Sequence, residues 1–416
     1  MSAGDPSQFE VLKHGPFVQF WLSRVLSSLA NQMQTVAVSW LIYQMTGSAF
    51  DLGLVGLVQF IPLFSLMLVV GHVADRYDRK IVLGVSQVVD GAAMGILALG
   101  TLGGWLNRDA ILLVVLLFGS ARAFQQPTQS SLLPLIVPPG LLSRALAASS
   151  SSNQIATIVG PLIGGFLLLV STALVFATCA LLYLVAALLV VRLNPERSVS
   201  SREPITLRTL FAGIAFIFHR PIILGAITLD LFAVVLGSVN AMLPIYAKDV
   251  FETGPDGLAW LRASMAAGAL AFSVVLARRP MRRNAGPIMF TAVAIFGSAT
   301  VLFGFSTSMP VAMFAMAVMG AADMVSVVIR QTMIQLGTPN EMRGRVSAVN
   351  FLFIGTSNQL GDFRSGVMAE WFGVFPSVLI GGLGTLAVVA ASIVLFPQLA
   401  RINNVEDVRK LAEEPV

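Results

Sequence analysis

Gly71-His72-Val73-Ala74-Asp75-Arg76-Tyr77-Asp78-Arg79-Lys80 sets five formal charges within ten residues, between two long apolar segments. Each flanking segment is long enough for the roughly 20 residues that a helical crossing of a bilayer requires. The stretch therefore reads as a tight charged loop joining two membrane helices. Its excess of Arg and Lys marks the cytoplasmic face, where loop cations collect.

The rest of the chain agrees with that reading. Of its 416 residues 56% are hydrophobic and 11% charged, with mean hydropathy +0.83. A soluble domain carries about 25% charged residues. The 36 glycines and 20 prolines are tolerable in membrane helices, where neighbours re-satisfy freed backbone groups. The apolar blocks lack the ~10-residue alternation of an outer-membrane barrel, so the spans are helices. The single cysteine, Cys179, excludes an intrachain disulfide and reads as a small buried hydrophobe. No cleaved signal is evident, and the first span is expected to act as its own insertion signal. The net charge of +5 does not point to nucleic acid, because the cations lie in loops beside the spans.

Reading apolar blocks against charged or Pro/Gly breaks predicts twelve spans: 17–45, 50–73, 81–103, 109–135, 146–170, 172–192, 213–246, 256–277, 286–306, 309–336, 345–370 and 374–396. This is an all-α polytopic membrane protein. Residues 1–192 would form an N-terminal six-helix bundle and 211–397 a C-terminal one, joined by a cytoplasmic linker at 193–210 and followed by a tail at 398–416. Lys and Arg crowd the even-to-odd loops, the linker and both termini, whereas the opposite loops hold only Arg108 and Lys248. Both termini are therefore expected on the cytoplasmic side. The halves echo each other 201 residues apart: Pro138 with Pro339, Arg144 with Arg345, Ala147 with Ala348, Gly160 with Gly361, Gly165 with Gly366. The charged loop falls at that offset on Leu276 to Met281, which keeps Arg278 and Arg279. A parallel repeat of six spans explains this register.

The spacing G-x-x-A-D-R-x-x-R-K at Gly71, Asp75, Arg76, Arg79 and Lys80 resembles the loop between helices 2 and 3 of the major facilitator superfamily of transporters. Gly160-Pro161-Leu162-Ile163-Gly164-Gly165 in span 5 resembles the superfamily's exporter-type helix 5 element, although Ala156 stands where a further glycine is usual. Arg122 and Gln125 in span 4 are similar to the superfamily's R-x-x-q-G element, with Gln126 in place of its glycine. Phe20-Trp21-Leu22-Ser23-Arg24, Trp260-Leu261-Arg262 and Met342 to Ser347 resemble the branch of enterobactin exporters and drug and macrolide efflux permeases. The resemblance implies two pseudo-symmetric six-helix bundles, a cavity lined by spans 1, 4, 7 and 10, and a charged loop that latches the halves.

The polar residues of the spans fit such a cavity. Arg122, Gln125, Gln126 and Gln129 share one helix face. Span 1 carries Arg24, Ser27, Ser28, Asn31, Gln34 and Thr35; span 7 carries Asp230 and Ser238. Span 10 carries Asp323, Ser326 and Arg330, and span 11 carries Asn350, Ser357, Asp362 and Arg364. Asp362 and Arg364, two apart, are not expected to face the same way. Asp90 in span 3 and Arg262 at the start of span 8 fall outside the pattern. A charge at bilayer depth is costly unless it faces protein or water, so Arg24, Arg122, Asp230 and Arg330 are expected at the substrate cavity.

No Gly-Lys dipeptide occurs, which removes a P-loop, and His14, His72 and His219 lie apart, so neither a cofactor nor a metal is expected. Coupling to an ion gradient remains, with Asp323 the favoured proton carrier and Asp230 and Asp362 as alternatives. The resulting expectation is a monomeric proton-coupled exporter of siderophores or amphipathic drugs, not an enzyme, in a bacterial inner membrane. Uptake symport or lipid flipping on the same fold, and a non-transporting receptor, are the competing readings.

Overall fold

Long apolar runs form helices here because intrahelical hydrogen bonds satisfy backbone groups that a bilayer cannot. The computed structural model describes residues 10–66, 69–70, 73, 76–193, 207–279, 283–339 and 341–403. The principal helices are α1 (Gly15–Thr46), α2 (Ala49–Ser65), α3 (Arg79–Gly103), α4 (Arg108–Ile136), α5 (Leu142–Val170), α6 (Thr172–Val191) and α7 (Leu207–Phe218). They continue with α8 (Pro221–Gly237), α9 (Pro255–Arg278), α10 (Ala285–Phe305), α11 (Met309–Leu336), α12 (Arg343–Phe372) and α13 (Val374–Leu395). Among the described residues nine helical stretches are long and apolar enough to cross a bilayer, and α2 is a shorter apolar helix. Helices α1 and α12 have the length but carry the polar stripes. These twelve correspond in order to the predicted spans. Most of the linker, residues 194–206, and the tail from 404 lie outside the described residues.

One span departs from expectation. The predicted seventh span, 213–246, is not continuous. Helix α7 stops at Phe218, and Arg220 adopts an extended backbone before Pro221 opens α8. Proline fits the first helical turn, where no N–H is needed, and pushes its predecessor out of the α region. A second break follows Gly237. Chain 240–250 continues as a 3₁₀ turn, a short α turn and a π turn over Tyr246–Val250. Pro244 removes the bond to the Asn240 carbonyl. The carbonyl of Ser238 instead accepts the Ser365 hydroxyl at 2.7 Å.

The chain forms two compact units. The first holds residues 1–41 and 61–204, the second residues 42–60 and 205–416; the segment 42–60 thus groups with the C-terminal helices. In the first unit α3 packs on α6 and α4. Ser23 of α1 ties them together, donating to the Ala186 carbonyl at 2.9 Å and accepting from Gln87 Nε2 at 3.1 Å. In the second unit α10 packs on α13 and α11, repeating that arrangement, while α9 pairs with α11 and α12 with α8.

The repeat extends to close helix contacts. A Cβ on Gly160 of α5 would lie 2.5 Å from Gln32 Cβ of α1, and one on Gly361 of α12 would lie 2.9 Å from the Val234 carbonyl of α8. Glycine at both places lets the backbones approach. Within the second unit the start of α2 also lies on α12: Phe50 meets Phe363 edge to face at 6.1 Å, and Glu370 accepts from the Ser48 hydroxyl at 3.2 Å and the Phe50 amide at 3.3 Å.

Candidate functional site

The first unit encloses a cavity of about 310 Å³ whose wall is built from four helices. Helix α1 contributes Arg24, Ser27, Ser28, Asn31 and Gln32; α4 contributes Phe118, Arg122, Gln125, Gln126, Gln129 and Ser130; α5 adds Asn153 and α6 adds Tyr183. The span 4 stripe and most of the span 1 stripe therefore meet at one place. Helical spacing put each set on one face, and the α1–α5 approach at Gly160 brings the faces together. A Cβ on Gly164 would lie 3.0 Å from Met33 Cα, and Pro161 and Gly165 are buried in the same helix. Ser28 donates to Asn153 Oδ1 at 3.1 Å, and Gln32 to the Thr157 hydroxyl at 3.2 Å.

Gln34 lies one layer deeper, buried and accepting the Tyr183 hydroxyl at 3.3 Å. Asp90 is also behind the wall. Its side chain is fully buried, one carboxylate oxygen accepts the Gln125 amide, and the other has no partner among the described residues.

The second unit holds the acidic residues. Arg330 of α11 pairs with Asp230 of α8 at 3.1 Å, with the two side chains 2% and 7% exposed. Arg330 Nη1 also donates to Asn350 Oδ1 of α12 at 3.3 Å. Asp323 lies two turns earlier on α11, half-buried, within the electrostatic reach of both Asp230 and Arg330.

Asp362 belongs to a separate group, accepting the Ser238 hydroxyl at 2.6 Å. Arg364 donates to the Leu236 carbonyl. Asp362 and Arg364 thus both reach the end of α8, contrary to the expectation from their spacing. The Leu236 carbonyl lies in the last turn of α8, where carbonyls lack intrahelical partners, and the length of arginine lets it reach round to it.

Of the charged loop, Gly71 and Asp75 lie outside the described residues. Arg76 is exposed and Arg79 half-buried. Asp78 caps α3 by accepting the Lys80 amide at 3.0 Å, and Lys80 Nζ donates to the Leu193 carbonyl at 3.2 Å.

Similarity to known proteins covers this whole architecture. The family model described as "Transmembrane secretion effector" matches residues 6–415. The chain belongs to that family, within the major facilitator superfamily. It is 25% identical over 413 residues to the multidrug efflux pump Tap of Mycolicibacterium fortuitum, spanning 94% of this chain and 98% of that protein. It is 21% identical over 373 residues to macrolide efflux protein A of Streptococcus pyogenes, spanning 88% and 92%. The solved structure of a point mutant of the nucleoside transporter NupG superimposes with TM-score 0.74 over 92% of this chain and all of that one, at 13% identity, a likeness of fold. The protein is thus a multi-pass superfamily transporter of small molecules in the drug-efflux branch, and its relatives are transporters rather than enzymes.

Within this superfamily transporter, sequence reading missed Gln32, Asn153 and Tyr183 on the cavity wall. Asn153 belongs to a visible polar run, Ser149-Ser150-Ser151-Ser152-Asn153-Gln154, but a serine-rich run in a membrane helix reads equally as packing. Tyr183 sits alone among apolar residues and gave no signal. At the 201-residue offset Asp323 corresponds to Arg122 and Arg330 to Gln129. The two units therefore carry opposite charge at one equivalent place, Arg122 and Asp323.

Proposed function

We propose that this transporter is a proton-coupled exporter that moves amphipathic small molecules, siderophores among them, by alternating access. It works as a monomer in the bacterial inner membrane with both termini cytoplasmic. The observation that carries this reading is the buried Asp230–Arg330 pair with the half-buried Asp323 beside it. Two carboxylates and one guanidinium leave the trio with one negative charge in excess. Enclosing a net charge in a low-dielectric interior is costly, so the trio favours a conformation in which water reaches Asp323. A proton on Asp323 makes the trio neutral, and the unit can then close around it. Release of the proton on the other side restores the charge and reopens that path. The Asp230–Arg330 pair is the fixed half of the device, and Asp323, with no hydrogen-bond partner among the described residues, is the exchangeable half. Asp362 is the alternative carrier, although its carboxylate is already engaged by Ser238.

Export is supported by the efflux relatives and by the α1–α5 approach at Gly160 to Gly165. In the charged loop, Gly71, Asp75, Arg76, Arg79 and Lys80 form the motif that acts as the cytoplasmic latch. Asp323→Asn makes the trio permanently neutral. It is expected to abolish export against a gradient and the pH dependence of transport, with abundance unchanged. Active export by that variant with ordinary pH dependence would remove Asp323 from the mechanism.

A further inference from the structure

The cavity of the first unit is cationic on its walls and lacks an anion. Arg24 and Arg122 both line it, and no Asp or Glu does. Neither guanidinium has a hydrogen-bond or ion-pair partner among the described residues. The carboxylate within electrostatic reach of Arg122 is Asp90, which sits behind the wall and is engaged by Gln125. On the same wall, the buried amide oxygen of Asn31 has no partner among the described residues. Unpaired charges at membrane depth mark a place completed by something else. A guanidinium presents a planar fork of donors that matches carboxylate, sulfonate and phosphate oxygens. The volume of about 310 Å³ lies at the small end of ligand pockets, which run from about 300 to 1,000 Å³, so it suits one headgroup with an aromatic ring.

We infer that this cavity is a subsite for the anionic group of an amphipathic small molecule, held by Arg24 and Arg122, with Asn31 accepting from a hydroxyl or N–H on the same ligand. The inference rests on the reading of the chain as a small-molecule transporter but needs neither a direction nor a proton. It places anion recognition in the first unit and charge exchange in the second, so that cargo and proton do not compete for one residue. The same oxyanion chemistry occurs on dissolved solutes and on acidic lipid headgroups. The site is assigned to the solute, because the wall combines its guanidiniums with many neutral amides and hydroxyls suited to a polar ligand body.

The test uses the purified full chain in phosphatidylcholine nanodiscs without any gradient, and calorimetric titration with 2-naphthoate, 2-naphthamide and 2-naphthylmethylamine. These share one ring system and differ in charge. Naphthoate is expected to bind about tenfold or more tightly than the other two, as a charge-assisted hydrogen bond implies. Arg24→Gln and Arg122→Gln should each remove most of that preference, weakening naphthoate binding far more than naphthamide binding. Equal affinity for all three probes, or tighter binding of the amine, overturns the proposal on the wild-type protein alone, whatever the variants do. A preference that survives both substitutions overturns it as well. Loss of naphthoate binding when phosphatidylglycerol is added to the discs would assign the site to a lipid headgroup and overturn the solute assignment. Because no gradient is present, these outcomes are independent of whether the chain exports or couples to protons. A failure of Asp323→Asn to stop export would leave them untouched.

Discussion

Arg330 shows how much a single residue carries here. Among the described residues it is the largest fully buried side chain, bonded to Asp230 and Asn350 from two different helices. Replacing one partner of a buried ion pair strands the other charge and costs about 3–5 kcal/mol, whereas removing both costs far less. Arg330→Gln is therefore expected to lower the melting temperature in detergent by many degrees. Adding Asp230→Asn should recover much of that stability but not transport. A single variant as stable as wild type would show that the pair is not enclosed. At this scale the sequence was partly legible. Asp230, Asp323 and Arg330 stand out because charges are rare in apolar runs, and i, i+7 spacing put Asp323 and Arg330 on one face. Their division of labour was not legible, because the pairing partners Asp230 and Asn350 lie on other helices, α8 and α12. Likewise nothing in the sequence connected Asp90 with Gln125 or Gln34 with Tyr183.

Helices were the most legible feature, since a block of apolar residues of sufficient length has few alternatives in a bilayer. Hydropathy alone did not reveal that the seventh span is broken, because isoleucine and leucine run on past Pro221 and apolar residues continue to Ile245, while the backbone bonds fail at both prolines. Helix packing adds a test that composition cannot supply. A Cβ on Gly320 of α11 would lie 1.9 Å from the Met265 carbonyl of α9, whereas one on Gly95 of α3 meets nothing within 4 Å. Backbone cannot yield as a side-chain tip can. Gly320→Ala is expected to force α9 and α11 apart and to reduce folded yield severely, measured by fluorescence-detected size exclusion. Gly95→Ala should be neutral or stabilising by about 0.5–1 kcal/mol, since alanine is the better helix former. Equal yields of the two would contradict the α9–α11 geometry.

For the molecule as a whole, the parallel repeat organises what the residues do. Equivalent contacts recur in each unit, at Gly160 on α1 and at Gly361 on α8, and the offset that relates them was readable from the matched prolines, arginines, alanines and glycines. The grouping of residues 42–60 with the C-terminal helices was not readable, because it depends on Glu370 and Phe363 more than 300 residues away. Orientation rests on the loop cations and has a direct check. In a Cys179→Ala background, a membrane-impermeant maleimide applied to intact cells should label Ser308→Cys, in the exposed loop between α10 and α11. It should spare Arg279→Cys after α9, and everted vesicles should reverse the pattern. The opposite labelling would invert the topology and with it the direction of export.

In the proposed cycle a proton gradient drives cargo outward through the carboxylates of the second unit. The most direct measurement is uptake into everted vesicles, acidified inside, of fluorescein and erythromycin side by side. Proton-coupled export predicts accumulation that collapses when nigericin dissipates the pH gradient and is absent from vesicles bearing Asp323→Asn. Accumulation that persists without the pH gradient, or that is unchanged in Asp323→Asn, would contradict it.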